Sequence, residues 1–137
     1  MRAKDYLLEI RTYKKRLENV KKQAEQLREA FSYLQGVSYD RDKVQTMPRD
    51  SMSEDVIAML DLEREVEKAA RTYQEELNKR IMQINGLSRA EHITILTERY
   101  INDENFETIS CNMNYGYYHI CHLHGEALKE FSEKYHI

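Results

Sequence analysis

Hydrophobic side chains recur every three or four positions over the first quarter of the chain. The apolar positions between residues 6 and 34 alternate in steps of four and three, and mostly Lys, Arg, Glu and Gln separate them: Tyr6, Ile10, Tyr13, Leu17, Val20, Ala24, Leu27, Phe31 and Leu34. A period of 3.5 residues is typical of a helix that packs along a second long helix. The pattern predicts one long helix that ends near Gly36, since glycine commonly terminates helices.

A second long helix is predicted from about Glu54 to Asn85. Its seam consists of Val56, Met59, Val66, Ala70, Tyr73, Leu77 and Ile84, and Leu60, Leu62 and Ile81 widen it. Two helices of similar length with heptad faces predict an antiparallel, coiled-coil-like hairpin over residues 1–86, with a polar loop at 36–52. The wide second stripe indicates additional burial, by the rest of the chain or by a second protomer in a homodimer. Glu63 and Arg80 interrupt the seam, and we expect them to pair or to fix its register.

The hydrophobic pattern then shortens into three helices over residues 89–131. Ser88 and Glu91 have the spacing of a capping box that begins this module. The inward positions of the first two helices are Ile93, Leu96 and Tyr100, and then Phe106, Ile109, Ser110 and Met113. A polar break at 102–105 separates these two helices.

A tight corner, Asn114-Tyr115-Gly116, precedes the third helix of this module. The inward positions of that helix are Ile120, Leu123, Ala127, Leu128 and Phe131. A short helix, a corner that contains glycine and a second helix are typical of the helix-turn-helix, whose second helix enters the major groove of DNA. After this helix we expect Tyr135 and Ile137 to pack back on the long helices.

Two runs in this module resemble region 4 of bacterial sigma factors. Residues 106–116 are similar to its first half, and residues 120–131 to its recognition helix and exit. The string Leu-His-Gly-Glu-Ala-Leu-Lys at 123–129 is also similar to the ends of small phage-encoded transcriptional regulators. Those regulators place a long helical segment in front of the module, joined by a loop that resembles residues 43–48. The resemblance implies a phage or prophage regulator that binds promoter DNA, RNA polymerase or both through a helix-turn-helix at 89–137.

The residues that could contact DNA follow from where the recognition helix begins. If it begins at Gly116, the side chains best placed to reach bases or phosphates are among Gly116, Tyr117, Tyr118, His119, Cys121 and His122. None of them is a permanent cation, although Arg is the usual reader of guanine and Lys and Arg supply most of the attraction to phosphates. We therefore expect weaker binding that depends on pH, because histidine titrates near neutrality.

The charge distribution favours a competing interpretation. The net charge is −3, and residues 89–137 carry four Lys/Arg against eight Asp/Glu, whereas residues 1–35 carry nine against five. The exposed Lys14, Lys15, Lys21 and Lys22 could supply phosphate contacts, or they could simply form the solvated face of a heptad helix. The alternative function is a helical protein-interaction or assembly module that kept the fold and lost its DNA contacts.

Composition excludes several other classes. One Pro, four Gly and 33% charged residues predict an all-α protein. No apolar run approaches the roughly 20 residues that cross a bilayer, and no secretory leader is visible. Two cysteines make no disulfide framework, so we expect a cytoplasmic protein. A zinc or nickel site from His119, His122 and Cys111 has the wrong spacing for a closed structural site. No phosphate loop or nucleophile elbow is present, and we expect neither a cofactor nor an enzyme.

Overall fold

The computed structural model describes residues 1–39 and 49–137, and it describes side chains outside residues 33–53. Over this part of the chain all regular structure is helical, which confirms the all-α prediction. The helices are α1 (Ala3–Tyr39), α2 (Arg49–Asn85), α3 (Ala90–Leu96), α4 (Phe106–Met113) and α5 (Tyr117–Tyr135), and a π-helical turn, Thr97–Ile101, follows α3 directly.

The two long helices extend further than their sequence predicts. Helix α1 continues past Gly36 to Tyr39, and α2 begins at Arg49, five residues before the predicted start. A glycine inside a helix costs only about 1 kcal/mol relative to alanine, so it does not have to end one. The predicted loop at 36–52 was therefore too long, and the remaining residues 40–48 lie outside the described part of the chain.

The chain divides into two compact units. We call Met1–Thr12 together with Gln74–Ile137 the core unit, and Tyr13–Tyr73 the helix-pair unit. The predicted boundary between residues 86 and 89 does not coincide with this division, since the first turns of α1 and the last turns of α2 belong with the terminal helices.

A single hydrophobic cluster fills the core unit. Its buried members are Ala3, Leu7, Ile84, Leu87, Ile95, Leu96, Tyr100, Ile109, Ile120, Leu123, Ala127 and Phe131. Helices of seven or eight residues, such as α3 and α4, are unstable alone, so this shared burial stabilises them. Burying one large apolar side chain contributes about 1.5–3 kcal/mol. The predicted inward face of α5 is confirmed, with Leu128 half-buried at its edge.

A buried arginine joins the long helices within the core unit. Arg80 is 1% exposed, its Nε donates to the carbonyl of Tyr6 at 3.0 Å, and its Nη2 donates to Glu9 at 3.0 Å. Its guanidinium also pairs with Glu76 and lies 4.1 Å from the centre of the Tyr6 ring. Tyr6 donates to Gln83 at 2.6 Å. Tyr6 contacts Gln83, whereas Glu9, which comes later in α1, contacts Arg80, which comes earlier in α2. The two segments are therefore antiparallel in this unit.

The helix-pair unit has a thinner interior. Leu17, at 9% exposure, is its one buried apolar side chain among those described, and the other described seam positions are half-buried, except Val56, which is exposed. Arg28 donates to Glu63 at 3.0 Å on the surface. Glu63 and Arg80 thus each pair with α1, as expected for polar seam residues that fix register.

The described helices were also compared with the length and hydropathy that a bilayer requires. None of them contains a stretch sufficiently long and apolar to span a membrane.

Candidate nucleic-acid interface

Helix α4, a three-residue corner and helix α5 form the candidate interface. The side chain of Asn105 caps α4 by accepting from the amide of Thr108 at 2.8 Å. At the other end Asn114 adopts the left-handed conformation, φ 57°, which asparagine tolerates better than most residues. The hydroxyl of Ser110 donates to the carbonyl of Tyr115 and closes the corner. The predicted corner at 114–116 is observed, but Asn114 rather than Gly116 makes the left-handed turn.

Helix α5 presents two different faces. Ile120, Leu123 and Ala127 are almost completely buried against the core. The predicted interface residues all lie on the exposed side: Gly116, Tyr117, Tyr118, His119, Cys121 and His122. Tyr117 is 49% exposed and Tyr118 is 89% exposed. We call these six residues the outer face of α5. In the described chain no other element buries this surface.

Neighbouring side chains orient the outer face. The His119 ring meets the Tyr115 ring edge to face at 4.5 Å. The Tyr115 hydroxyl donates to Glu91 at 2.9 Å, which raises the pKa of Tyr115. The negative charge that Cys121 would carry as a thiolate, and then its hydrogen bond, raise the pKa of Tyr117. These contacts link the corner to α3, and the side chains of the outer face are mostly aromatic rings.

His122 forms an ion-pair contact with Glu126 of α5. Its Nε2 lies 3.0 Å from Glu126 Oε1, one helical turn later. The Glu126 carboxylate also lies 3.7 Å from the guanidinium of Arg89, which precedes α3.

The sequence did not predict that a second histidine, His92, is buried against a glutamate of α5. His92 is 4% exposed, and its Nδ1 bonds to Glu130 of α5. Glu130 also accepts from the amide of Ser88 at 2.7 Å and from its hydroxyl at 2.6 Å. Burial opposes ionisation of this carboxyl, but the bonds from Ser88 and His92 prevail and lower the pKa of Glu130 to about 2.

The predicted capping box of Ser88 and Glu91 is therefore wrong. Helix α3 has Arg89 at its N-cap and no side-chain cap. Ser88 bonds to α5 instead, across 42 residues of sequence. Local spacing could not reveal this partner, because the packing of α3 against α5 brings it close.

His124 is a second packed histidine. Its Nε2 lies 2.8 Å from the hydroxyl of Tyr100, and the edge of Phe106 meets its ring at 4.9 Å. Burial lowers the pKa of His124 to about 4 and raises the pKa of Tyr100 to about 12. His124 is therefore neutral at neutral pH and shares a hydrogen bond with the Tyr100 hydroxyl, and this pair belongs to the core rather than to the interface.

The inward face predicted for the first helix of the module is only partly correct. The sequence predicted Ile93, Leu96 and Tyr100, whereas Ile95, Leu96 and Tyr100 are buried and Ile93 is half-buried. The π-helical turn at Thr97–Ile101 begins directly after Leu96, and it contains more residues per turn than an α-helix. The amide of Asn102, which bonds to the carbonyl of Thr97 at 3.0 Å, closes this wider turn.

The remaining candidate residues are the lysines of α1 and the two cysteines. Lys14, Lys15, Lys21 and Lys22 are exposed, but they belong to the helix-pair unit. Cys111 and Cys121 are exposed free thiols. Among the residues described, no group of three His, Cys, Asp or Glu side chains is arranged to hold a metal ion.

Comparison with known proteins provides no relative. No family model, no curated protein and no solved structure matches this chain.

Proposed function

We propose that this chain is a DNA-binding transcriptional regulator of the phage or prophage type, which contacts promoter DNA, RNA polymerase or both through α4 and α5. The observation that carries the proposal is the outer face of α5. It follows a three-residue corner, its six residues are exposed, and the opposite side of the helix is anchored in the core. This is what a helix that enters the major groove requires.

The start of α5 supports backbone contacts to DNA. Gly116 is its N-cap, with no side-chain cap, so the first amides of the helix are open to an external acceptor. Amides at a helix N-terminus commonly bind phosphate oxygens, and such contacts position a protein on DNA without reading its sequence. They offset in part the lack of Lys and Arg on this face.

Salt dependence tests the proposal. Fluorescence anisotropy of labelled duplexes from the region upstream of the neighbouring genes should show binding that weakens steeply as salt rises. Each neutralised phosphate contributes about −0.9 to the slope of log affinity against log salt. Absence of duplex binding at about 50 mM salt would contradict DNA binding through α4 and α5.

The basic positions of α1 provide a separate arm of this test. Reversing the charge of Lys14, Lys15, Lys21 and Lys22 to Glu should reduce the salt slope if they contact phosphates. An unchanged slope would assign these lysines to a solvated helix face. The matched control reverses no charge: four Lys→Arg substitutions at the same positions should retain binding.

A second function is favoured by the charge of the terminal segment. Residues 89–137 are acidic, and the outer face of α5 carries no permanent cation. A protein-interaction module that lost DNA contacts would have these properties. It should bind no duplex at low salt, and it should bind purified RNA polymerase or another assembly partner with dependence on Tyr118.

The proposed regulator is a homodimer through its long helices. Val56, Ile57 and Leu60 are exposed in the helix-pair unit, where a second copy could cover them. Sedimentation equilibrium tests this, and a monomer at micromolar concentration would contradict it.

A further inference from the structure

The side chains on the outer face of α5 are unusual for a surface that reads bases. Arg and Lys read guanine through paired hydrogen bonds, and Asn and Gln read adenine in the same way. None of these four residue types occurs between residues 116 and 125. The outer face offers instead the rings of Tyr117 and Tyr118, which stand nearly perpendicular with centres 6.2 Å apart. Of the base-pair edges in the major groove, only thymine presents an apolar group, its C5-methyl.

Gly125 indicates where a ligand comes closest. It lies inside α5, three residues after His122 and four after Cys121, and therefore beside them on the exposed side. Glycine destabilises a helix interior relative to alanine. No atom lies within 4 Å of the position that a Cβ would occupy, so packing within the described chain does not require glycine here. Close approach of an external surface does provide a reason for it.

We infer that the outer face of α5 recognises thymine through apolar contact of Tyr117 and Tyr118 with the C5-methyl group, and that Gly125 allows the helix to lie close to the groove. This inference rests on the proposed DNA-binding function, and it specifies which base that function reads. It assigns sequence specificity to methyl contacts rather than to guanine or adenine hydrogen bonds.

Removal of the methyl group is the direct experiment. The full-length protein first selects duplexes from a random-sequence pool, and the tightest binder is then prepared with deoxyuridine in place of every thymidine. This change deletes the C5-methyl and leaves base pairing and phosphate charge intact. We expect affinity to fall about fourfold for each methyl that is contacted, from the value of burying a methyl-sized group.

A double-mutant cycle separates methyl contact from a general effect of uracil on the duplex. Replacing Tyr117 and Tyr118 together with alanine should weaken binding to the thymine duplex, and this variant should then bind the thymine and uracil duplexes almost equally. The matched control is Met82→Ala, which removes a side chain that is 75% exposed on α2. This control should retain both the affinity and the discrimination.

The Gly125→Ala variant tests whether the groove lies close to α5, because it should raise the stability of the protein and lower its affinity for DNA. It should raise the melting temperature by roughly 3 °C, because alanine favours the helix. It should also weaken binding at least tenfold if the groove lies against the helix. A more stable variant that binds as tightly as the parent would overturn the role of Gly125.

The outcomes distinguish the inference from the function on which it rests. If the pool yields no enriched duplex, the DNA-binding function fails and the inference fails with it. If a duplex is selected but binds equally well with uracil, DNA binding stands and thymine recognition is overturned. A thymine preference that is lost when Tyr117 and Tyr118 are both replaced with alanine supports both.

Discussion

The two units have the same kind of helical pattern but very different interiors. In the core unit Leu7, Ile84, Ile120 and Phe131 are completely buried, and Arg80 is buried with them. In the helix-pair unit only Leu17 is buried among the described side chains, and it is still 9% exposed. Two helices can cover only one side of each other. The terminal helices provide the additional layer that closes the core unit.

The comparison shows that a heptad seam predicts contact but not depth of burial. Tyr6 and Leu27 belong to the same seam of α1, yet one contacts a core of several helices and the other a single partner helix. Stability should therefore be concentrated in the core unit, where the proposed interface is anchored. Four predictions test this difference, from the largest expected effect to the smallest.

Matched leucine truncations in α1 should give the largest contrast. Leu7→Ala should lower the free energy of unfolding by about 4 kcal/mol, because it opens a cavity in a closed core. Leu27→Ala should cost about 1 kcal/mol, since this side chain is only half-buried. Circular dichroism during urea denaturation measures both changes. Equal losses would show that the helix-pair unit is as well packed as the core unit.

Two arginine–glutamate pairs extend the contrast to charged residues. Arg80→Ala should cost about 3 kcal/mol, because it removes a buried cation and its hydrogen bonds to Glu9 and Glu76. Arg28→Ala should cost less than about 1 kcal/mol, because the pair of Arg28 with Glu63 is exposed. The free energies of unfolding of the two variants, measured under identical conditions, decide the prediction. A loss at Arg28 that matches the loss at Arg80 would contradict it.

The sequence predicted the local elements well. Helix α4 has the predicted bounds at Phe106 and Met113, and the corner at 114–116 is observed. These elements depend on short-range signals: an asparagine cap, a left-handed asparagine and apolar positions at helical spacing. The burial of Leu7 could not be predicted, because it depends on helices more than 80 residues later in the chain.

For the candidate site, the exposure of its side chains could be predicted from the sequence, but the contacts of neighbouring residues could not. Exposure of Tyr117, Tyr118 and His122 follows from their spacing relative to the inward residues of α5. The partners of His92 and Ser88 do not follow from spacing, since Glu130 reaches both across the α3–α5 packing. A buried histidine beside an acidic residue has no distinctive sequence pattern. The π-helical turn at Thr97–Ile101 likewise has no distinctive sequence pattern.

Acid should destabilise the core unit in a defined window. The pKa of His124 is about 4 in the folded protein, below its ordinary value of 6.5. The unfolded chain therefore binds more protons in this range, and stability should fall by roughly 2 kcal/mol as the pH drops from 6.5 towards 4. Below pH 4.5, protonation of Glu130, with its pKa of about 2, should destabilise the fold further. Denaturant midpoints measured between pH 4 and 7 test the first window.

His124→Gln is the matched variant for the acid prediction. Glutamine can still accept from Tyr100, but it does not titrate, so the slope of stability between pH 6.5 and 4.5 should become shallower. His122→Gln removes an exposed histidine, and the slope should persist. A slope that remains unchanged in His124→Gln would show that another group causes the loss.

The smallest change in stability is expected on the exposed apolar stripe of the helix-pair unit, which consists of Val56, Ile57 and Leu60. Leu60 is 47% exposed, so Leu60→Lys should change the unfolding free energy of a monomer by less than about 0.5 kcal/mol. If a second copy covers this stripe, the same variant should shift the sedimentation equilibrium from dimer towards monomer, because a buried lysine without a partner is costly. Met82→Lys, at an exposed position in the core unit, is the control and should leave the equilibrium unchanged. A large loss of stability under conditions where the parent is monomeric would mean that Leu60 packs within the chain, and that the helix-pair unit has a deeper interior than its exposure indicates.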